Sequence, residues 1–266
     1  MHFTKMHGLG NDYLYVYGEV PDNICEQSQK LSDRHFGAGS DGMIYISPSA
    51  IADFKMRIFN ADGSEAMMCG NGIRCVGKYV YDKGYTDKTK LLIETLSGIK
   101  TLTLQTMGGK VKFVTVEMGQ AEVKEDLDLE IPSATPATVR CTPVSVGNPH
   151  AVIFVEDAEA VPLADIGPLI EHHEAFPGGT NVEFAQVLSE NRIRMRVWER
   201  GSGITMACGT GACATAAAAA SKGLCVVSSP ISVELDGGTL EITVAPDHTI
   251  GMTGPAATVY EGEVTE

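Results

Sequence analysis

The chain carries the same three sequence motifs twice, in the same order and at an offset of roughly 140 residues. Three pairs of segments hold them: 7–19 with 145–157, 35–46 with 175–185, and 59–84 with 197–223. In the first pair a Gly-Asn dipeptide precedes an apolar run, as HGLGNDYLYVYGE and again as SVGNPHAVIFVED. In the third pair Cys69 and Cys208 occupy the same place. Three matches in one register indicate two structural copies rather than chance similarity.

Each copy is expected to contain several short strands and one helix. Runs rich in Val, Ile, Thr and Tyr are typical of strands, such as KLLIETLSGIKTLTLQ in the first copy and PISVELDGGTLEITVA in the second. The helix is predicted to begin just after Cys-Gly-x-Gly in each copy. In the second copy it reads ACGTGACATAAAAASKG (207–223), where alanine favours a helix and Gly223 is the predicted C-cap.

The repeat predicts an α+β fold of two pseudo-symmetric lobes, each a strand-rich sheet wrapped around a central helix, with the active site in the cleft between them. The N-terminal lobe is expected to span residues 1–113 and to hold Cys69. The C-terminal lobe is expected to span residues 114–252 and to hold Cys208. The tail 253–266 is predicted to return to the first lobe as a final strand.

Composition excludes several classes of partner. The net charge is −14 at pH 7 and no basic stripe interrupts it, which argues against binding to nucleic acid. An acidic segment, EVKEDLDLEIPSATPATVR (122–140), is expected to begin or to decorate the second copy. No run approaches the roughly 20 apolar residues of a membrane span, and the N-terminus MHFTKMHGLGNDYLYV does not resemble a secretory signal. We therefore expect a cytoplasmic protein that binds neither nucleic acid nor a membrane.

The seven cysteines are an odd number without a CxxC pair, so free thiols are favoured over a disulfide framework. No cluster of His and Cys has the spacing of a zinc site, and no metal is expected. Most of these cysteines are expected to be small buried side chains. Cys69 and Cys208 differ from the rest because each stands at the predicted start of a helix.

A cysteine at the start of a helix has a particular chemistry. The first N–H groups of a helix have no partner within it and carry partial positive charge, which favours a thiolate. Neighbouring glycines leave these N–H groups open to an anion. The segments GNGIR and GTGAC lack the Lys-Ser/Thr pair of a Walker loop and the G-x-G-x-x-G spacing of a dinucleotide-binding loop. A small carboxylate is therefore favoured over a phosphate.

Two such helix ends facing one cleft suggest a reaction. A carboxylate held between them would have one sulfur on each side of the adjacent carbon. One thiolate would remove the proton of that carbon while the opposite thiol supplied another, which inverts the centre. This interpretation assigns Cys69 and Cys208 as the catalytic pair.

Polar residues near the repeated motifs fit a substrate with polar ends. Glu199 and Arg200 end the strand before Cys208 and could bind an ammonium and a carboxylate, respectively, although a surface ion pair is an alternative. His150 could tune a thiol, but a buried structural histidine stays open. Five asparagines stand in glycine-rich stretches, where they are also common in ordinary turns: Asn11, Asn60, Asn71, Asn148 and Asn181.

At these residues the chain resembles the diaminopimelate epimerase family. FNADGSEAMMCGNGIRC and WERGSGITMACGTGACA resemble its two cysteine signatures, and HGLGNDYLYV, RHFGAGSDG, VGNPHAV and GTNVEF extend the likeness over most of the chain. The resemblance implies a cofactor-independent enzyme, without PLP, that interconverts LL- and meso-2,6-diaminopimelate on the route to lysine. It also implies two lobes, each with a helix inside a strand-rich wrap, and a homodimer.

The resemblance further implies a role for each site residue. Cys69 and Cys208 would be the acid/base residues, and Glu199 would bind the ammonium at the reacting centre. His150 would lie near Cys208 and tune its thiol. The other binding residues form three groups: Gly70, Asn71, Gly209 and Thr210 for the reacting carboxylate; Asn60, Asn181 and Arg200 for the distal amino-acid end; and Asn11 and Asn148 for the pocket wall.

Two positions depart from the pattern of the family. Its second signature commonly reads GxGET, whereas Ile204 stands here in place of the acid, which puts the placing of that loop in doubt. Some members carry Gln where this chain has Gly42, so one pocket contact is absent. Neither position is a proposed acid or base.

Two other classes of function stay open from the sequence. A proline or hydroxyproline racemase also uses two cysteines on a two-lobed scaffold, but a compact ring would leave Glu199 and Arg200 unpaired. A non-catalytic carboxylate-binding thiol sensor would use the same helix ends without the reaction.

Overall fold

The structure is a computed structural model that describes residues 1–131 and 137–265. The chain divides into two compact units, Met1–Glu117 with Thr253–Glu266, and Met118–Met252. The protein is mixed α/β and rich in strands, and its described residues form four α-helices. None of these helices is long and apolar enough to cross a membrane.

The first unit is built on strands from both ends of the chain. Its elements are β1 (His2–Gly8), β2 (Asn11–Tyr17), α1 (Ile24–Ser32), β3 (Gly42–Pro48), β4 (Phe54–Asn60), β5 (Glu65–Ala66), α2 (Gly70–Asp82), β6 (Lys90–Thr95), β7 (Gly98–Met107), β8 (Lys110–Gln120) and β19 (Ala257–Glu263). β1 pairs antiparallel with both β19 and β2, and β2 pairs parallel with β3. Because β2 and β3 run the same way, Asn11 and Gly42 begin neighbouring strands at one edge of the sheet.

The second unit repeats this plan. Its elements are β9 (Glu122–Val123), β10 (Leu127–Glu130), β11 (Thr138–Ser145), β12 (Pro149–Phe154), α3 (Leu163–Glu171), β13 (Asn181–Ser189), β14 (Arg192–Glu199), β15 (Gly203–Ile204), α4 (Gly209–Ser221), β16 (Pro230–Leu235), β17 (Gly238–Val244) and β18 (Thr249–Pro255). β12 pairs parallel with β13, with His150 opposite Asn181 and Val152 opposite Glu183. The starts of these two strands therefore lie side by side.

Two of the four helices were not expected from the sequence, which predicts one helix in each copy. The additional helices, α1 and α3, have 9 residues each, and their sequences contain few of the features that predict a helix. Neither has a side-chain hydrogen bond at its N-cap, and α3 contains Pro168, which usually interrupts a helix.

The helices α2 and α4 begin at Gly70 and Gly209, directly after each cysteine, and not after the Cys-Gly-x-Gly sequence as predicted. Each cysteine is the N-cap residue, so the glycines of the motif lie in the first turn. At the other end of α4 the C-cap is Lys222, one residue before the predicted cap, Gly223, which follows it with a φ of +69°.

Helix α4 is buried along almost its whole length, which accounts for its alanines. Ala212, Ala214 and Ala216–Ala219 are all 0% exposed. Strands β11, β12, β13 and β17 pack around this helix. A helix that is apolar on every side belongs in a core, and methyl side chains let the strands approach it closely. Helix α2 is likewise buried from Gly70 to Val80.

Several predicted strands appear where the sequence placed them. KLLIETLSGIKTLTLQ forms the antiparallel pair β6–β7, and PISVELDGGTLEITVA forms β16–β17. The acidic segment 122–140 contains β9, β10 and the start of β11. Residues 132–136 of that segment, and residue 266 of the tail, lie outside the described residues.

Gly42, which departs from the family pattern, begins β3 at a place where no side chain fits. Its φ is +153°, and a Cβ built on it would lie 2.2 Å from the backbone oxygen of Phe59 on β4. Because this carbonyl belongs to the sheet, it has little freedom to move. We expect Gly42→Ala to lower the free energy of unfolding by at least about 2 kcal/mol, measured by chemical denaturation.

Gly108→Ala is the matched control. Gly108 also has a positive φ, +61°, but an added Cβ would have nothing within 4 Å. At Gly108 only the backbone strain of a positive φ should lower the free energy of unfolding, by about 1 kcal/mol. Equal losses in the two variants would contradict the steric explanation for Gly42.

Candidate active site

Cys69 caps helix α2 in the first unit, with its sulfur turned back over the first turn. Its φ of −136° and ψ of 117° are extended, as is usual for an N-cap residue. The sulfur accepts the N–H of Gly72 at 3.3 Å, and the thiol donates to Oδ1 of Asn11 at 3.3 Å. Cys69 is partly exposed. A reachable sulfur therefore lies at the positive end of the helix.

Asn11 is held in turn by Asp41. The Nδ2 of Asn11 donates to Oδ2 of Asp41 at 2.8 Å, which leaves the amide oxygen to face Cys69. The Asp41 carboxylate also accepts the N–H of Asp12 at 3.0 Å and pairs with Arg34 at 2.8 Å. The parallel pairing of β2 with β3 brings these groups together at one sheet edge.

Cys208 caps α4 in the same way but is more deeply buried. Its sulfur accepts the N–H of Gly211 at 3.3 Å and lies 3.6 Å from Oγ1 of Thr210. Only 4% of the residue is exposed. Burial raises the pKa of the Cys208 thiol well above its usual range, and the nearby Glu199 carboxylate raises it further. The expectation that a helix start favours the thiolate is wrong for Cys208, because burial outweighs the helix end.

A row of hydrogen bonds leads from Cys208 into the sheet. The Nδ2 of Asn148 donates to Oγ1 of Thr210 at 3.3 Å, and Oδ1 of Asn148 lies 3.1 Å from Nε2 of His150. The Nδ1 of His150 lies 2.7 Å from Oε1 of Glu183. The side chains of His150 and Glu183 are fully buried. Hydrogen bonds through Asn148 therefore connect His150 to Thr210, so His150 is more than an isolated core histidine.

Glu199 and Arg200 lie at the end of β14. The Glu199 carboxylate accepts a hydrogen bond from the Thr205 hydroxyl and interacts with Cys208. Burial raises the pKa of this carboxyl. The Arg200 guanidinium is exposed and donates to the backbone oxygen of Gly178 at 3.3 Å. One residue of the predicted pair is thus close to Cys208, and the other faces solvent.

Asn181 connects three segments through its amide group. Its Nδ2 donates to the backbone oxygen of Pro149 at 3.0 Å, and its Oδ1 accepts the N–H of Arg200 at 3.0 Å. On the other side of the turn, Glu171 accepts the N–H of Gly201 at 2.9 Å and the indole N–H of Trp198 at 2.7 Å. These contacts fix the turn that carries Arg200.

The remaining predicted residues are four in the first turns of the two helices, and Asn60. Gly70 and Asn71 are buried in the first turn of α2, and Gly209 is buried in the first turn of α4, where Thr210 is half-buried. Asn60 ends β4, and its Nδ2 donates to the Ser64 hydroxyl at 3.1 Å.

Buried cysteines outside these two helix ends are poorly suited to chemistry. Burial raises the pKa of Cys75 to about 11 and that of Cys141 to about 12, so both stay protonated near neutral pH. Residues 1–131 and 137–265 contain no group of three or more His, Cys, Asp and Glu side chains that could hold a metal ion.

Two acidic residues of the site, Asp41 and Glu183, had no role assigned from the sequence, although both lie in repeated motifs. Glu183 carried a usable signal, since a charged residue inside the apolar run NVEFA is uncommon unless the charge is paired. The sequence gives no comparable reason to single out Asp41, because aspartate is common in glycine-rich turns.

Solved structures share this fold. A phenazine biosynthesis protein of the PhzF family from Bacillus anthracis matches with a TM-score of 0.80 at 18% identity, covering 100% of this chain and 99% of that one. A probable proline racemase from Agrobacterium radiobacter K84 matches with a TM-score of 0.77 at 19% identity, covering 99% and 92%. The chain therefore has the mixed α/β fold of these proteins, and identities this low speak for the fold alone.

Sequence relatives define the family. Residues 3–124 and 142–259 match the family described as diaminopimelate epimerase. A diaminopimelate epimerase from Methanococcus maripaludis strain C5 is 52% identical over 278 residues, covering 99% of both chains. Another from Acetivibrio thermocellus is 50% identical over 277 residues, covering 99% of this chain and 98% of the relative. The chain belongs to the diaminopimelate epimerase family of isomerases, which confirms the resemblance of its motifs.

The position of Glu199 predicts a specific change in thiol reactivity. Because its negative charge raises the pKa of Cys208, Glu199→Gln should lower that pKa. Alkylation by iodoacetamide requires the thiolate, so the pH midpoint of Cys208 alkylation should move to lower pH. Mass spectrometry of the peptide that carries Cys208 measures this midpoint.

Asp126→Asn is the control for loss of a carboxylate from the same unit. Asp126 pairs with Lys222 at 2.6 Å and is not among the groups that raise the pKa of Cys208. Its variant should alkylate Cys208 as the wild type does. A midpoint for Glu199→Gln that stays in place or rises would contradict the prediction.

Proposed function

We propose that this chain interconverts LL- and meso-2,6-diaminopimelate by moving a proton at the α-carbon, as an isomerase of lysine biosynthesis. The observation that carries the proposal is the pair of cysteine-capped helices, each with its sulfur beside glycine N–H groups. Relatives of about 50% identity over nearly the whole chain support this substrate. The probable proline racemase, at 19% identity, supports only the shared fold.

Cys69 and Cys208 act as the two acid/base residues in this proposal. One sulfur, as thiolate, removes the α-proton, and the other, as thiol, delivers a proton to the opposite face. The reverse reaction exchanges their roles. The mechanism requires both sulfurs to reach one α-carbon. We therefore propose that residues 1–113 with 253–266 and residues 114–252 are pseudo-symmetric lobes on either side of a cleft.

The carboxylate next to the reacting carbon is assigned to the two helix starts. Removal of the α-proton leaves negative charge that spreads into this carboxylate, where fixed N–H donors are most effective. Gly70 and Asn71 supply such donors in α2, and Gly209 and Thr210 supply them in α4. The positive end of each helix adds to the effect. The proposal assigns this stabilisation to the helices and uses no cofactor.

The two amino-acid ends of the substrate are assigned to charged and amide groups. Glu199 binds the ammonium at the reacting centre, because it is a half-buried carboxyl that already interacts with Cys208. Arg200, Asn60 and Asn181 bind the distal amino-acid end of the substrate. Asn11 and Asn148 form the wall of the pocket. A polar end is costly to bury unless it is paired, so these groups select against a ring such as proline.

Proton exchange with solvent tests the reaction and the substrate together. Incubation with LL-diaminopimelate in deuterated water should incorporate deuterium at the α-carbon and produce the meso form, followed by NMR and chiral chromatography. Proline should exchange no proton under the same conditions. Absence of exchange with LL-diaminopimelate would refute the proposed function.

Single cysteine variants separate the reaction from mere binding. Cys69→Ser and Cys208→Ser should each lower kcat at least about 100-fold, because a serine hydroxyl is a far weaker acid and base in this role. Both should still bind the substrate in calorimetry. Cys25→Ser is the control, since Cys25 is an exposed thiol on α1. Full activity in either test variant would contradict the two-base mechanism.

We also propose that the protein is a homodimer, on the family resemblance alone. Sedimentation velocity at micromolar concentration should give twice the chain mass of 28.3 kDa. A single species at the chain mass would contradict the proposal.

A further inference from the structure

Glu183 is a fully buried carboxyl group in an apolar strand, and the proposed mechanism gives it no role. It lies on β13 between Val182 and Phe184, and its side chain is 0% exposed. A buried carboxyl is costly unless it is paired and hydrogen-bonded. Its Oε1 lies 2.7 Å from Nδ1 of His150, whereas its Oε2 has no hydrogen-bond partner within the described residues. This arrangement points to a role beyond packing.

The surrounding hydrogen bonds fix where the protons lie. The Nδ2 of Asn148 donates to Thr210, so the amide oxygen of Asn148 is the atom that faces Nε2 of His150. An amide oxygen only accepts, and Nε2 therefore carries a proton. The 2.7 Å contact between Nδ1 and Glu183 requires a second proton, because two bare acceptors repel at this distance. The pair shares that proton and has no net charge, either as imidazolium with carboxylate or as imidazole with carboxylic acid.

Glu183 lies directly beneath the helix start that Cys208 caps. A Cβ added to Gly211 would be 2.7 Å from Oε1 of Glu183 and 3.2 Å from the sulfur of Cys208. The row of contacts from His150 through Asn148 ends at the Thr210 hydroxyl, 3.6 Å from the same sulfur. Each link fixes the orientation of the next, so the carboxyl controls a group that contacts the acid/base thiol.

The first unit does not carry this pair at the matching positions of the repeat. Ile44 takes the place of Glu183, and a Cβ added to Gly72 would be 2.7 Å from its Cδ1. Tyr13 takes the place of His150, and burial raises the pKa of its hydroxyl well above the usual range, so it stays uncharged. Since an isoleucine supports the same helix start in the first unit, packing alone does not require a carboxyl in the second.

We propose that Glu183 is a positioning residue for proton transfer at Cys208. By sharing a proton with Nδ1 of His150, it keeps the Nε2–H directed at Asn148. That contact orients the Asn148 amide and, through it, the Thr210 hydroxyl beside the Cys208 sulfur. The shared proton stays within the pair and is not passed to the substrate. This inference rests on the proposed function, because it assigns a role in the reaction at Cys208.

Two variants of Glu183 distinguish positioning from packing. Glu183→Leu fills the space but cannot hydrogen-bond His150, whereas Glu183→Gln can. For LL-diaminopimelate, we expect kcat to fall about 10- to 100-fold in the Leu variant, with KM near the wild-type value. The Gln variant should recover part of that loss. Asp126→Asn, which removes a carboxylate paired with Lys222, should keep the wild-type kcat.

The order of stability should be the reverse of the order of activity. Replacing a buried polar group by an apolar one of similar volume is often neutral or stabilising. The Leu variant should therefore have a Tm equal to or above that of the Gln variant, despite its lower kcat. A kcat for Glu183→Leu equal to or above that of Glu183→Gln would overturn the proposal.

A spectroscopic measurement on the wild-type protein needs no substrate. In 15N-labelled protein, with the His150 signals assigned by their loss in His150→Gln, Nε2 should be protonated and the proton shared between Nδ1 and Glu183 should give a hydrogen-bonded proton signal. In Glu183→Leu the signal of this shared proton should disappear. An unprotonated Nε2 in the wild type overturns the proposal. Failure of the wild type to turn over LL-diaminopimelate overturns the proposed function instead.

Discussion

The contact between a capping sulfur and the N–H of the glycine three residues later determines how each helix start is built. Both contacts are 3.3 Å, at Cys69 with Gly72 and at Cys208 with Gly211. A Cβ on either glycine would come within 2.7 Å of a side chain of the strand below. Only glycine lets the sulfur, the helix and the strand approach so closely. The chemistry at the helix start therefore depends on the packing beneath it.

Much of this arrangement could be predicted from the sequence because it is repeated. Two copies of one motif identify Cys69 and Cys208 among seven cysteines, and alanine-rich or strand-like runs locate the helix and the strands around it. The short helices α1 and α3 escape prediction because their ends lack capping side chains and one contains Pro168. Local sequence carries little information where tertiary packing decides the conformation.

The partners of the site residues could not be predicted for a different reason. Asp41 reaches Asn11, and Glu183 reaches His150, only because two strands pair in parallel in each unit. That pairing is set by contacts distant in the chain, which a single sequence does not display. The proton affinity of Cys208 is a similar case, since it depends on burial by surrounding elements rather than on the helix start alone.

The surroundings of the cysteines also bear on how the protein could be inhibited by electrophiles. Burial raises the pKa of Cys75 to about 11 and that of Cys141 to about 12, and Cys208 is only 4% exposed. These three thiols should therefore react slowly with electrophiles in neutral solution. Cys25, by contrast, lies exposed on α1. A covalent inhibitor selected for general thiol reactivity would also have access to this exposed sulfur. Selectivity for the helix-capping sulfurs must instead come from the shape and charge of the inhibitor.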